Sequence, residues 1–187
     1  MALILGLDPA SIRNVGYGCL SVNKGKFEIV KHSTIVLPDF ETDGARLNHI
    51  YGQIDALLED IKPDRIVIER STGFGKSFVR SNLQESVGVM KYCAHKWDIP
   101  VTEISPTHMK LILCGNGKAK KAEVKKWSKE LLGLKKKASE HAIDAMGLAY
   151  TWAVDENILE WLHKEAYEAR KKKPRKKKDK NYEQLVL

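Results

Sequence analysis

No run of residues in this 187-residue chain approaches the roughly 18 consecutive apolar positions that a membrane-spanning helix requires. The N-terminal stretch MALILGLDPAS has no basic leader and runs straight into a polar turn, so the expectation is a mature cytosolic protein with no membrane partner. Cysteine is scarce. Cys19, Cys93 and Cys114 are odd in number and widely spaced, which excludes a disulfide framework and a zinc knuckle and leaves them as small apolar residues. Internal repeats are absent as well.

What is present is enough for one folded body. Hydrophobic residues make up 43% and charged residues 30%, a balance that argues against wholesale disorder. The length allows one domain, placed at residues 1–154, followed at 155–187 by a C-terminal helical extension and a basic tail. The formal charge of +8 is concentrated in residues 170–180, RKKKPRKKKDK, which hold nine basic side chains and one acid. The rest of the chain is therefore close to neutral. If such a body binds a polyanion, individual positive positions or the tail must supply the attraction. A solubilising tail or a nuclear-localisation signal would have the same composition.

Periodicity outlines an α/β domain. Leu3 to Leu7 is a short apolar strand closed by Asp8-Pro9, and Tyr17 to Val22 and Phe27 to Thr34 are two more, joined through Asn23-Lys24-Gly25-Lys26. These three should form an antiparallel meander. Leu47, Ile50, Tyr51, Ile54, Leu57, Leu58 and Ile61 recur on one helical face until Lys62-Pro63. Arg65 to Glu69 is a second fully apolar strand ending in a carboxylate. Further elements are expected as a helix over about 82–97, a strand over 101–104, a short helix capped by Ser105, and a helix over about 122–132 ended by Gly133. The last core helix should span about 139–154. The order implies a mixed five-stranded β-sheet flanked by α-helices.

Asp8 and Glu69 both end apolar strands. If those strands are neighbours, the two carboxylates share one sheet edge, where they repel unless a cation lies between them. Hard cations such as magnesium take oxygen ligands and keep water and phosphate in their shells, so a few strand-end acids suffice. The segment Ser139-Glu140-His141-Ala142-Ile143-Asp144 offers further ligands: His141 and Asp144 share a helical face, and so do Glu140 and Asp144. Both pairings are open on spacing alone. Ala138, Ala142, Ala145, Gly147 and Ala149 would let this helix lie close to the sheet.

In order and spacing these stretches resemble the RuvC family of Holliday-junction resolvases, within the ribonuclease H-like superfamily. Gly6-Leu7-Asp8-Pro9-Ala10-Ser11 followed by Gly16-Tyr17-Gly18 resembles the family's first-strand motif, and Ile66-Val67-Ile68-Glu69 its second. Within Lys110 to Val124, the pattern from Gly115 to Val124 resembles its basic segment, with Lys110 and Lys121 as the best matches. Glu140-His141-Ala142-Ile143-Asp144-Ala145 resembles its closing acidic pair, with His141 at a position that holds aspartate in some members. The resemblance covers roughly residues 2–154. It departs at Ala10, where many members have glycine, and at Phe74, which lies further from Glu69 than the family's wedge aromatic. Residues 155–187 have no counterpart in a minimal member.

The resemblance implies a ribonuclease H-like fold and a structure-selective endonuclease that nicks symmetric strands of branched DNA, leaving 5′-phosphate and 3′-hydroxyl ends. Two Mg2+ ions, with Mn2+ able to substitute, would be held by Asp8, Glu69, His141 and Asp144. Of the two open pairings it selects His141 over Glu140. Lys121, aided by Lys110, would offset charge on the reacting phosphate, and Lys118 and Lys120 would bind backbone. Phe74 or Phe78, beside Lys76 and Arg80, would stack on an unpaired base. A homodimer would form through the helix after Glu69, for which Leu83, Val87, Met90 and Trp97 are candidates for either the interface or the core. A flap, fork or RNA–DNA hybrid nuclease of the same fold is the nearest alternative, and a non-catalytic branched-DNA-binding module the next. The setting would be the cytoplasm of a bacterial or phage-infected cell.

Overall fold

The computed structural model describes residues 1–11, 13–70, 77–133 and 138–171, with the backbone alone at 10, 11, 77–80, 166 and 169–171. Three long strands open the chain: β1 (Ala2–Ser11), β2 (Asn14–Asn23) and β3 (Lys26–Val36). They form the expected antiparallel meander, turning at Lys24 and Gly25, both with positive φ. β1 runs further than its apolar core predicts. Antiparallel pairing carries it through Asp8↔Gly16 and, after a register shift, to Ser11↔Asn14.

Helix α1 (Asp43–Ile61) crosses to β4 (Arg65–Glu69), which pairs in parallel with β1. Helix α2 (Ser77–Lys96) crosses to β5 (Val101–Ile104), parallel to β4. The sheet order is β3-β2-β1-β4-β5, so the two strands that carry the first acids lie side by side at its centre. Helices α3 (Pro106–Cys114), α4 (Lys121–Leu132), α5 (Glu140–Asp155) and α6 (Lys164–Lys171) follow. Ser105 and Ser139 cap α3 and α5 as expected, each accepting a backbone N–H three residues on.

The period of two along each strand sorts the side chains into two cores. Leu5, Leu7, Val15, Cys19, Ile66 and Ile68 face α1 and α2. Ile4, Leu20, Val22 and Val67 face the layer of α3, α4 and α5. Each such fully buried aliphatic side chain contributes about 1.5–3 kcal/mol. Eleven of the sixteen residues of α5 are buried, which makes it the central helix of that layer. Leu159 and Trp161 extend the same core past the end of α5, and the Trp161 indole N–H donates to the Ile112 carbonyl at 3.1 Å.

The open choice for α2 divides. Val87 and Met90 are buried against the sheet, which corrects their candidacy for an intersubunit contact; Leu83 and Trp97 are half-buried, and the Trp97 indole donates to Asp55. The helix turns Gly88, Val89 and Tyr92 outward instead, beside Leu47 and Tyr51 of α1. All three cysteines are free and buried, and burial raises each thiol to about 11, the behaviour of packing residues. Among the described residues no helix is long and apolar enough to cross a membrane.

Candidate active site

Strand alternation delivers the first two acids. In the parallel pairing Leu7 lies opposite Ile68, so the next residues in register are Asp8 and Glu69. Both fall on the face shared by Ile4 and Val67, where α5 packs. Asp8 is buried, with 4% of its surface exposed, and Glu69 is half-buried.

The third and fourth groups arrive on α5, and glycines on the sheet let them come close. A Cβ on Gly6 would stand 1.8 Å from the Ala145 carbonyl oxygen, on Gly18 2.3 Å from Met146 Cγ, and on Gly16 2.2 Å from the His141 carbonyl oxygen. All three contacts lie below what any real Cβ tolerates. This glycine row, more than the small residues of α5, permits the approach. Gly147 plays a different part, since a Cβ there would meet Leu113 and Met109 of α3. The N-terminus of α5 is also tied to the far strand, because the Ser139 hydroxyl that caps it hydrogen-bonds Thr34 of β3.

So held, His141 Nδ1 lies 3.2 Å from Asp8 Oδ2. The bond raises the imidazole above its usual value. Glu69 is pushed up to about 8, first by burial and then by the charges of Asp8 and Asp144, while Lys110 and His141 oppose the shift. Asp144 is pushed up to about 6 by burial and by Asp8. These are the signs of carboxylates crowded together away from water with too little positive charge.

The donor set fits hard divalent cations: three carboxylates and one imidazole, with two carboxyls perturbed in the direction a cation would reverse. No three His, Cys, Asp or Glu side chains among the described residues close into a preformed cage. The acids instead line an open cleft of about 240 Å³, an arrangement that leaves room for the water and phosphate such ions retain. Glu140 lines the same cleft, with its carboxylate turned to Lys121 and Lys125.

Of the basic residues singled out in the sequence, Lys110 and Lys121 line this cleft. Lys118 and Lys120 do not; they are exposed in the turn before α4, where Asn116 and Glu123 accept their backbone N–H groups. Phe74 and Lys76 lie outside the described residues, as does the tail from 172 onward, and Phe78 and Arg80 are placed only as backbone in the first turn of α2. Sequence reading missed Lys125, which lines the cleft, and the spacing role of Gly6, Gly16 and Gly18. Three glycines on one face of two paired strands were a legible signal of close approach.

The family model described as crossover junction endodeoxyribonuclease RuvC matches residues 4–152. A protein of that name from Pseudothermotoga lettingae is 30% identical over 157 residues, covering 83% of this chain and 96% of the relative. One from Petrotoga mobilis is 31% identical over 149 residues, covering 79% and 91%. Among solved structures, Thermus thermophilus RuvC in complex with Holliday junction substrate superposes with a TM-score of 0.77 at 23% identity, over 84% of this chain and 96% of that one. The yeast mitochondrial Holliday junction resolvase Ydc2 gives 0.61 at 17% identity, over 90% and 82%. At those identities the structures speak for the fold, which is the ribonuclease H-like arrangement expected above.

Proposed function

This chain belongs to the crossover junction endodeoxyribonuclease RuvC family, and from that membership we propose that it resolves four-way DNA junctions by metal-dependent hydrolysis at the cleft floored by Asp8, Glu69 and Asp144. The observation that carries the assignment of the site is the convergence of those three acids and His141 on one open cleft whose rim is set with lysines. Binding of phosphate alone gives no reason to bury acids together, so a non-catalytic binding module does not account for them.

Asp8, Glu69, Asp144 and His141 would hold two Mg2+ ions, with Mn2+ as a substitute. Bound there, such ions would supply Lewis acidity and lower the pKa of a bound water, and the products would carry 5′-phosphate and 3′-hydroxyl ends. The protein's own part is placement and charge. Asp8 is central, neighbouring Glu69 on the adjacent strand and touching His141 on the helix. Its bond to Nδ1 orients the imidazole. Lys110 is half-buried and already acts on Glu69 and Asp144, so it would offset charge deep in the cleft, whereas Lys121, 86% exposed, would meet the phosphate from the rim.

A junction presents two symmetry-related strands, which suits a two-fold homodimer with one cleft per subunit. The apolar patch of Leu47, Tyr51, Val89 and Tyr92 across α1 and α2 supports a second copy as its occupant. The enzyme would act in the cytoplasm of a bacterial or phage-infected cell.

The test is cutting of a synthetic four-way junction by wild type, Asp8→Asn and Glu69→Gln, in Mg2+ and in EDTA, beside flap, fork and RNA–DNA hybrid substrates. Wild type should cut the junction best, only with metal, and both variants should lose at least about a hundredfold. Undiminished cutting by either variant overturns the site, and faster cutting of a hybrid or flap overturns the substrate.

A further inference from the structure

Lys125 has no part in the chemistry above, yet it lines the same cleft. It stands one turn after Lys121 on α4, so both ammonium groups leave the helix on one face. They converge on a single acid. Glu140 Oε2 is 3.7 Å from Lys121 Nζ, and Glu140 Oε1 is 4.0 Å from Lys125 Nζ. Glu140 is the first residue of α5 after its cap Ser139, where the helix dipole favours negative charge, and its neighbour His141 is the residue bonded to Asp8.

Both separations exceed the 2.7–2.9 Å of a committed charge-assisted hydrogen bond. The partners are also largely open to water: Lys121, Lys125 and Glu140 side chains are 86%, 49% and 54% exposed. Pairs of this kind are weak and are screened by salt. They keep the lysines near the rim without binding them firmly. A DNA backbone offers each ammonium two phosphate oxygens and releases condensed counterions on contact, a gain that a lone carboxylate cannot match.

We propose that Lys125 is a second phosphate-binding lysine of the cleft, and that Glu140 is the counter-ion with which the DNA backbone competes for Lys121 and Lys125. In the DNA-free enzyme the acid parks both lysines at the rim; on binding it gives them up. Glu140 thereby weakens substrate binding by a fixed increment, which also eases departure of the nicked product. The inference rests on reading the cleft as the junction-cutting site.

The experiment is equilibrium binding of a labelled four-way junction to the full chain in EDTA, from 50 to 300 mM salt, for wild type, Lys125→Ala and Glu140→Gln. Lys125→Ala should weaken binding several-fold at 100 mM salt and reduce the slope of log Kd against log salt by about one. Glu140→Gln should tighten binding several-fold and steepen that slope, because the lysines no longer exchange one anion for another. A purely structural role at the start of α5 would change the melting temperature and leave the slopes alone. Wild-type affinity and slope in Lys125→Ala, or in Glu140→Gln, overturns the proposal. Wild-type cutting in Mg2+ is measured alongside: its absence would defeat the junction-cutting reading, whereas cutting with unaltered binding by Lys125→Ala defeats only the role given to Lys125.

Discussion

Gly16 of β2 lies directly beneath the backbone of His141: a Cβ on that glycine would stand 2.2 Å from the His141 carbonyl oxygen and 2.3 Å from its carbonyl carbon. Backbone cannot swing aside as a side chain can. A methyl group at this position must therefore lift the first turn of α5 and, with it, the imidazole that meets Asp8.

Gly16→Ala is accordingly expected to destabilise the fold by about 1–3 kcal/mol and to reduce junction cutting at least about a hundredfold. Gly52→Ala is the control, since that glycine lies within α1 with open space around it and should gain up to about 1 kcal/mol from the change. Urea unfolding and cutting assays measured together check both. Wild-type cutting by Gly16→Ala would mean that the close approach does not position His141.

The Thr34 hydroxyl bonded to the Ser139 cap links β3 to the same turn of α5. Thr34→Val keeps the shape and removes the hydrogen bond, so it should cost about 1 kcal/mol of stability. Cutting should fall further than that loss explains, through a loosened His141. Thr34→Ser restores the hydroxyl and should restore cutting. Equal cutting by the valine and serine variants would remove Thr34 from the positioning of the site.

The raised Glu69 carboxyl has a consequence for stability against pH. Its ordinary value is 4.5 and its folded value about 8, so between those limits the folded chain binds a proton that the unfolded chain has released. Stability of the metal-free protein therefore falls as pH rises through that window, and Asp144 adds the same sign between 3.8 and about 6. Glu69→Gln removes the larger contribution. At pH 8 without metal the variant should melt several degrees above wild type, with the gap closing towards pH 5. Mg2+ should raise wild type and leave the variant nearly unmoved. Thermal scans across pH in EDTA and in Mg2+ decide it; a variant less stable than wild type at pH 8 would contradict the origin assigned to the shift.

Much of this architecture was readable from the chain because local signals and tertiary packing agree. β4 and β5 occupy the residues their apolar runs indicate, and Ser105 and Ser139 cap the helices they precede. Asp8 and Glu69 were legible as a pair because each closes an apolar run buried on both faces. Spacing alone left His141 and Glu140 level as partners of Asp144, since both share a face of α5 with it. The distinction lies in what packs opposite: Asp8 beside His141, and α4 beside Glu140. For the same reason nothing in the spacing singled out Lys125, and the apolar periodicity of α2 could not say which side met the sheet. Strand length failed at β1, whose pairing with β2 extends it beyond Asp8.

His141 and Asp8 meet across 133 positions of sequence, and Asp144 comes later still. A ribosome has thus made more than three quarters of these 187 residues before Asp144 exists. Any product that stops short of α5 carries Asp8 and Glu69 on strands whose glycine trough has nothing to fill it. Such a fragment lacks His141 and Asp144, half of the residues proposed to hold metal, and the helix that would order the rest. Premature termination or proteolysis upstream of residue 140 is therefore expected to leave a chain without junction-cutting activity, so the late placement of α5 ties activity to an intact polypeptide.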